Sequence, residues 1–301
     1  MSTEYAGPAS LIERASHRLE QPAPRAPASG PAGFQPRDSH AEKPAPAGKQ
    51  NGRNVNIDIG RLRLDGYLTP GSERTRIAEE YRIIKRPLLE NAFGRAAELV
   101  DHGNLIMVTS AIPGEGKTYT ALNLAMSIAM EMDKTVLLID ADAGRARLHD
   151  LLGTPMGPGL MDLLIDNSLD VGDVMRRTNV PKLRVMPVGQ LHSHSTELLA
   201  SDNMHRLVRE LETRYSDRVI IFDSPPILAT SDAVVLSNLV GQLVFVVESG
   251  RTYQGHVKDA LGLIDSSKPV GLVLNKVRKT AGSSYYGYGS YGSGYYGATS
   301  P

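Results

Sequence analysis

Six short apolar runs recur along the middle of the chain: Leu105–Ser110, Thr135–Asp140, Leu183–Val188, Val219–Asp223, Leu243–Glu248 and Val270–Asn275. They are rich in β-branched residues and apolar on both parities, the pattern of strands covered on both faces. Around them lie segments whose apolar positions return at helical spacing: Arg74–Asn91, Lys117–Met132, Asp202–Tyr215, Ser231–Leu239 and Gln254–Ile264. Strand and helix in alternation predict an α/β fold, a doubly wound and mostly parallel sheet. Such sheets bind ligands at the carboxyl ends of their strands. Asp140 and Asp223 fall at two of those ends, and a glycine-rich loop follows a third.

This pattern is confined to residues 65–280. In residues 1–20, Leu11, Ile12, Ala15 and Leu19 share one helical face, and Ser10 and Glu13 have capping-box spacing. They predict a short amphipathic helix that needs a partner to be stable, with a frayed terminus as the alternative. Residues 21–64 form a Pro/Ala-rich stretch, nearly free of large apolar residues up to Gly52, and are expected to be a disordered linker. Residues 281–301 are dominated by Gly, Ser and Tyr and carry no charge. Six of the chain's 12 tyrosines lie there: Tyr285, Tyr286, Tyr288, Tyr291, Tyr295 and Tyr296. A disordered tail is expected, with a passive low-complexity linker as the plain alternative to a functional one.

Composition narrows the partners and the chemistry. The formal net charge is zero, so nothing points to nucleic acid or to general attraction to anionic lipid. The absence of cysteine excludes disulfides, a thiol nucleophile and thiolate metal sites, and suits a reducing cytoplasm. No run approaches the ~18 apolar residues of a membrane span. The N-terminus mixes acids with bases and lacks a long apolar stretch, unlike a secretory signal. A cytoplasmic protein is expected, held at a membrane only through something else.

The strongest motif is Ala111-Ile-Pro-Gly-Glu-Gly-Lys-Thr118, between a predicted strand and a predicted helix. That context is the one a phosphate-binding loop requires. Gly114 and Gly116 let the backbone curl so that amide N–H groups face phosphate oxygens, and the helix N-terminus adds its dipole. Lys117 can reach the β- and γ-phosphates, and Thr118 can offer its hydroxyl to Mg²⁺. The expected nucleotide contacts run from Pro113 through Gly114, Glu115, Gly116, Lys117 and Thr118 to Tyr119. One departure is plain: Ala111 stands where the first glycine of such loops is usual. Two further strand ends carry carboxylates, Val136-Leu-Leu-Ile-Asp140-Ala-Asp142 and Val219-Ile-Ile-Phe-Asp223-Ser-Pro-Pro226. Asp140 and Asp142 project the same way if the strand continues, and can serve a hard cation or act as a base; capping the next helix is the alternative. Asp223 fits the acidic residue that holds Mg²⁺ directly or through water.

The ordered set Pro-Gly-Glu-Gly-Lys-Thr, Leu-Leu-Ile-Asp-Ala-Asp and Ile-Ile-Phe-Asp-Ser-Pro-Pro resembles the bacterial tyrosine kinase family. Thr196-Glu-Leu-Leu-Ala-Ser201, Val270-Gly-Leu-Val-Leu-Asn275 and the tyrosine tail extend the resemblance. Glu79-Glu-Tyr-Arg-Ile-Ile-Lys-Arg-Pro-Leu-Leu89 and Ser10-Leu-Ile-Glu-Arg look most like the branch associated with exosortase loci. The resemblance implies a P-loop fold, ATP and Mg²⁺, autophosphorylation of the tail in trans, and a role in exopolysaccharide synthesis or export. It implies that Lys117 and Thr118 hold phosphate and metal, that Asp140 is base or metal partner, and that Asp142 and Asp223 serve the Mg²⁺ shell. Asn275 would lie by the adenine. Glu79, Arg82 and Lys85 resemble the family's ring-assembly motif, on one helix face, although Lys replaces an expected Arg and cannot form the same fork. An ordinary surface pair is the alternative for Glu79 and Arg82. Ala143-Gly144-Arg145-Ala146 lacks an Arg and a Pro usual in the family. Many relatives are fused to a transmembrane activator, so a separate membrane activator of the polysaccharide co-polymerase type is expected here, together with a homo-oligomer. His192 and His194 are read as a solvated loop.

Two other functions fit part of the pattern. A partition or positioning ATPase shares the fold and motif order, but usually carries a lysine early in the loop where Ile112 and Pro113 stand here. A non-catalytic regulatory subunit would keep nucleotide binding without transfer; intact Lys117, Asp140, Asp142 and Asp223 argue against it.

Overall fold

The computed structural model describes residues 54–72, 74–153, 157–214 and 217–278. The expected N-terminal helix, the linker up to residue 53 and the tyrosine tail lie outside them. The strands are β1 (Asn54–Val55), β2 (Leu105–Ser110), β3 (Thr135–Asp140), β4 (Arg176–Thr178), β5 (Leu183–Met186), β6 (Arg218–Asp223), β7 (Gln242–Glu248) and β8 (Val270–Asn275). They form one sheet in the order β1-β4-β5-β3-β6-β2-β7-β8. Every pairing is parallel except β4 with β5. The expected α/β doubly wound sheet of the P-loop type is therefore the fold observed.

The helices are α1 (Ile59–Leu64), α2 (Arg76–Phe93), α3 (Lys117–Ala129), α4 (Arg147–Leu152), α5 (Leu160–Ile165), α6 (Val171–Val174), α7 (Ser195–Leu199), α8 (Asp202–Arg214), α9 (Ser231–Leu239) and α10 (Gln254–Leu261). One face of the sheet packs against α2 and α3, where Leu122, Leu124, Met126 and Ile128 meet Ile106, Val108, Leu138 and Ile221. Helix α3 is buried nearly all round because α2 lies over it. The other face packs Met107, Ile139, Phe222 and Phe245 against α5, α6 and α8 to α10.

Two expectations are corrected. The linker was expected to continue to residue 64, yet β1 and α1 fall inside it. Val55, Ile57 and Leu62 are buried there, although the segment is too short and too polar to show a period. The backbone of Ile57 both donates to and accepts from the Asn179 side chain, at 2.9 and 3.0 Å, which docks the segment beside β4. The second correction concerns Lys85. The buried residues of α2 are Ala78, Tyr81, Lys85 and Leu88, a stripe at spacings of three and four. Lys85 is in phase with that stripe rather than with Glu79 and Arg82. Its ammonium donates to Ser127 O at 2.7 Å and pairs with Glu131 at 2.6 Å, at the far end of α3. Glu79 and Arg82 pair with each other on the exposed side.

Candidate functional site

The loop after β2 wraps tightly for reasons visible in its residues. Gly114 and Gly116 take φ of +90° and +103°, where a side chain is strained. A Cβ at Gly116 would also collide with the amide of Asn275. Ala111 needs no such freedom: it is fully buried, its φ is not positive, and its methyl joins the core. The missing first glycine thus leaves the loop intact.

Glu115 does not face the nucleotide side. Its carboxylate is fully buried and turned back, accepting from Ile112 N–H at 2.8 Å, from Glu248 N–H at 3.4 Å and from the Thr252 hydroxyl. Asn275 donates to Glu115 O at 2.8 Å, and Lys276 donates to Gly114 O at 2.7 Å. The ends of β7 and β8 therefore brace the loop from one side.

On the other side stand β6 and β3. Asp140 and Asp223 are register partners at the carboxyl ends of these parallel strands. Asp140 Oδ1 accepts from Asp142 N–H at 3.1 Å, so the chain turns back after Asp140 rather than staying extended. Asp142 in turn accepts from Arg145 N–H at 3.1 Å. Burial raises the Asp140 carboxyl to about 8, with Asp223's charge adding to it. Burial raises Asp223 to about 7, against the pull of the Thr118 hydroxyl and Lys117. Asp142 is raised too, by burial, with Lys117 opposing. Burial lowers Lys117, while Asp223 and Asp142 hold it up.

Asp140 Oδ2 and Asp223 Oδ1 are buried without a hydrogen-bond partner. Unpaired buried carboxylate oxygens are costly, and a hard cation with oxygen ligands would satisfy them. The residues present thus fit Mg²⁺, with Thr118 beside Asp223. A cavity of about 640 Å³ opens over this corner, with Lys117, Thr118, Tyr119 and Asp142 in its wall. Pro113, Gly114 and Gly116 line it too. His192 and His194 lie elsewhere and exposed, and no group of three or more His, Asp or Glu side chains placed to hold a metal occurs among the described residues.

Sequence reasoning missed part of the wall. Arg61 and Tyr67 come from the segment taken for linker or domain edge, Arg145 from the turn after β3 and Arg147 from the first residue of α4. Tyr67 stacks on Tyr119 with ring centroids 4.8 Å apart, and the Tyr119 hydroxyl donates to Gly66 O at 2.9 Å. An isolated Arg or Tyr in a polar stretch carries no motif; the one available signal was the Gly66-Tyr-Leu-Thr-Pro70 turn.

Comparison with known proteins narrows what this corner does. The AAA domain family model matches residues 103–255, just over half of the chain. Tyrosine-protein kinase YwqD of Bacillus subtilis is 35% identical over 214 residues, covering 70% of this chain and 85% of that protein. Tyrosine-protein kinase CpsD of Streptococcus agalactiae is 34% identical over 62% of this chain and 81% of its own length. The solved kinase domain of Escherichia coli tyrosine kinase ETK is 29% identical, with a TM-score of 0.60 over 78% of this chain and 94% of that one. The chimerical protein CapA2B2 superposes with a TM-score of 0.62 and 27% identity over 75% and 94%. A phosphate loop beside two strand-end aspartates is common to many nucleotide-binding proteins; here the whole domain around it matches tyrosine kinases in sequence and in shape, so the chain belongs to the bacterial tyrosine kinase family and is a nucleotide-binding protein-tyrosine kinase.

Proposed function

We propose that the chain uses MgATP to phosphorylate the tyrosine tail of a neighbouring copy, and that this regulates exopolysaccharide synthesis or export alongside a separate membrane activator. The observation that carries the reading is the cavity beside the phosphate loop, in a chain whose sequence also supplies a cluster of tyrosines. The described chain ends at Arg278, just beyond β8, on the side of the loop held by Asn275 and Lys276. The cavity opens on the opposite side, over β6 and β3.

In this reading Lys117 and the backbone N–H groups of Gly114 to Tyr119 hold the phosphates, Pro113 shapes the loop's entry without donating, and Asn275 lies by the adenine. Thr118, Asp142 and Asp223 would hold Mg²⁺, which would supply charge neutralisation at the phosphates. Asp140 takes the acceptor phenol's proton. The phenolate oxygen bonds the γ-phosphorus, the bond to the β-phosphate oxygen breaks, and ADP leaves. Glu79 and Arg82 supply the contact between copies. Among the described residues no helix is long and apolar enough to cross a membrane.

The test mixes two full-length variants. Lys117→Met is the acceptor, and a chain whose six tail tyrosines are Phe is the donor. Phosphate should appear on the Lys117→Met tail by mass spectrometry. An unlabelled tail on that chain, with a donor that still binds ATP, overturns transfer in trans.

A further inference from the structure

The strand order divides the surroundings of the loop after β2. Strands β7 and β8 lie to one side and brace it, with Asn275 against Glu115 O. Strands β6 and β3 lie to the other, with their aspartates. The cavity spans the loop and the second side, so it takes in the phosphate site and the space in front of it, on the side from which a second substrate would arrive. Part of its wall, Arg61 and Tyr67, comes from the segment that precedes the one matched by the AAA domain model.

That wall is built rather than loose. Ile57 is held at both backbone atoms by Asn179, and Leu68 N–H donates to Asn123 Oδ1 at 2.7 Å in the interior. Leu62 and Leu68 are 1% exposed. Between these anchors Tyr67 presents its ring to the cavity, packed on Tyr119 at an interplanar angle of 48°. Tyr119 is fixed in turn by its hydrogen bond to Gly66 O. Burial raises the Tyr67 phenol, with the charges of Tyr119, Asp65 and Asp223 adding to it.

We infer that the Tyr67–Tyr119 pair is the acceptor wall of the active site, the aromatic surface on which the ring of an incoming tyrosine packs before transfer. Two fixed rings offer an edge and a face to a third, and aromatic contacts of this kind are directional. An uncharged Gly/Ser chain around the acceptor lets its ring approach this wall closely. The inference rests on the reading of the tail as substrate.

The test measures binding of a labelled peptide of residues 281–297 by fluorescence anisotropy. The protein is full-length, with its six tail tyrosines changed to Phe, and loaded with Mg²⁺ and a non-hydrolysable ATP analogue. Tyr67→Leu keeps apolar packing but removes the aromatic face, and Tyr67→Phe keeps the ring. Peptide affinity should fall roughly 3- to 10-fold in Tyr67→Leu and stay at the parent value in Tyr67→Phe. Affinity for a fluorescent ADP analogue should be the same in all three. Equal peptide affinity in Tyr67→Leu and the parent overturns the inference, and so does a matching loss of nucleotide affinity, which would make the wall a nucleotide support. A parent protein that binds the peptide but transfers no phosphate to it from MgATP sinks the tail reading, while the affinity difference still stands for the wall.

Discussion

Asp140 and Asp223 sit side by side at the ends of adjacent parallel strands, each with one buried carboxylate oxygen that no protein group satisfies. Two buried carboxyls this close resist joint ionisation. A site that strains against its own charge in the absence of cation is one prepared to receive a cation.

The first prediction concerns stability and pH. Both carboxyls are raised in the fold, to about 8 and about 7. The folded state therefore keeps protons that the unfolded chain has already released. The stability this contributes is complete below the ordinary carboxylate range and is lost as pH rises through about 7 to 8. In a chelator, Tm should fall over that window, and Mg²⁺ should restore more of it at pH 8 than at pH 6. Asp140→Asn removes the charge and should raise the chelated protein's Tm at pH 8 by about 2–8 °C, with transfer abolished. Parallel Tm curves for the variant and wild type across pH would show that the pair carries no such tension.

A second prediction concerns Glu115, which the motif alone would assign to the nucleotide. Its carboxylate instead joins Ile112, Glu248 and Thr252, tying the loop to the end of β7. Glu115→Ala leaves three donors without their acceptor. It should cost about 2–4 kcal/mol of stability, at about 2–4 °C of Tm per kcal/mol. It should also weaken ATP binding about tenfold or more, because the loop's amides lose their fixed direction. Glu115→Gln, which keeps one acceptor oxygen, should fall between. Calorimetric titration with ATP beside thermal denaturation checks both. Wild-type stability in Glu115→Ala would refute the bracing role.

The sequence made the inner sheet and the phosphate loop legible because these features repeat a strong local signal. Strands β2, β3 and β8 and helix α9 have the residue limits expected from their apolar runs. The edges were not legible. Strand β4 has three residues, β1 has two, and α4 to α7 have six or fewer, too short for any period to show. Position along the chain also misleads about facing. Asp142 and Glu115 are both acidic residues within site motifs, yet Asp142 lines the cavity while Glu115 turns inward, and only the tertiary turn decides which. Lys85 reads as a surface cation by type, but its phase on α2 puts it inside.

That phase gives the third prediction, a contrast between two cations three residues apart on one helix. Lys85 reaches the last turn of α3 and beyond, bonding Ser127 O and Glu131. Lys85→Met keeps the aliphatic length but drops the ammonium, leaving Ser127 O and a partly exposed Glu131 without it. A loss of about 1–3 kcal/mol follows, discounted because Glu131 still reaches water. Arg82 lies on the exposed side, paired with Glu79. An exposed pair of this kind contributes only a few tenths of a kcal/mol to a single copy. Arg82→Glu should therefore leave Tm nearly unchanged while placing like charges together on the face proposed to meet a neighbour. Its effect should be a smaller particle by light scattering and slower transfer between copies, recovering at high salt as the repulsion is screened. Lys85→Met should show the reverse: a lower Tm, and a particle of wild-type mass at temperatures where it stays folded. If Arg82→Glu kept the mass of an oligomeric wild type, the assembly role of this face would fail. If Lys85→Met kept the wild-type Tm, the bond to α3 would have no energetic weight.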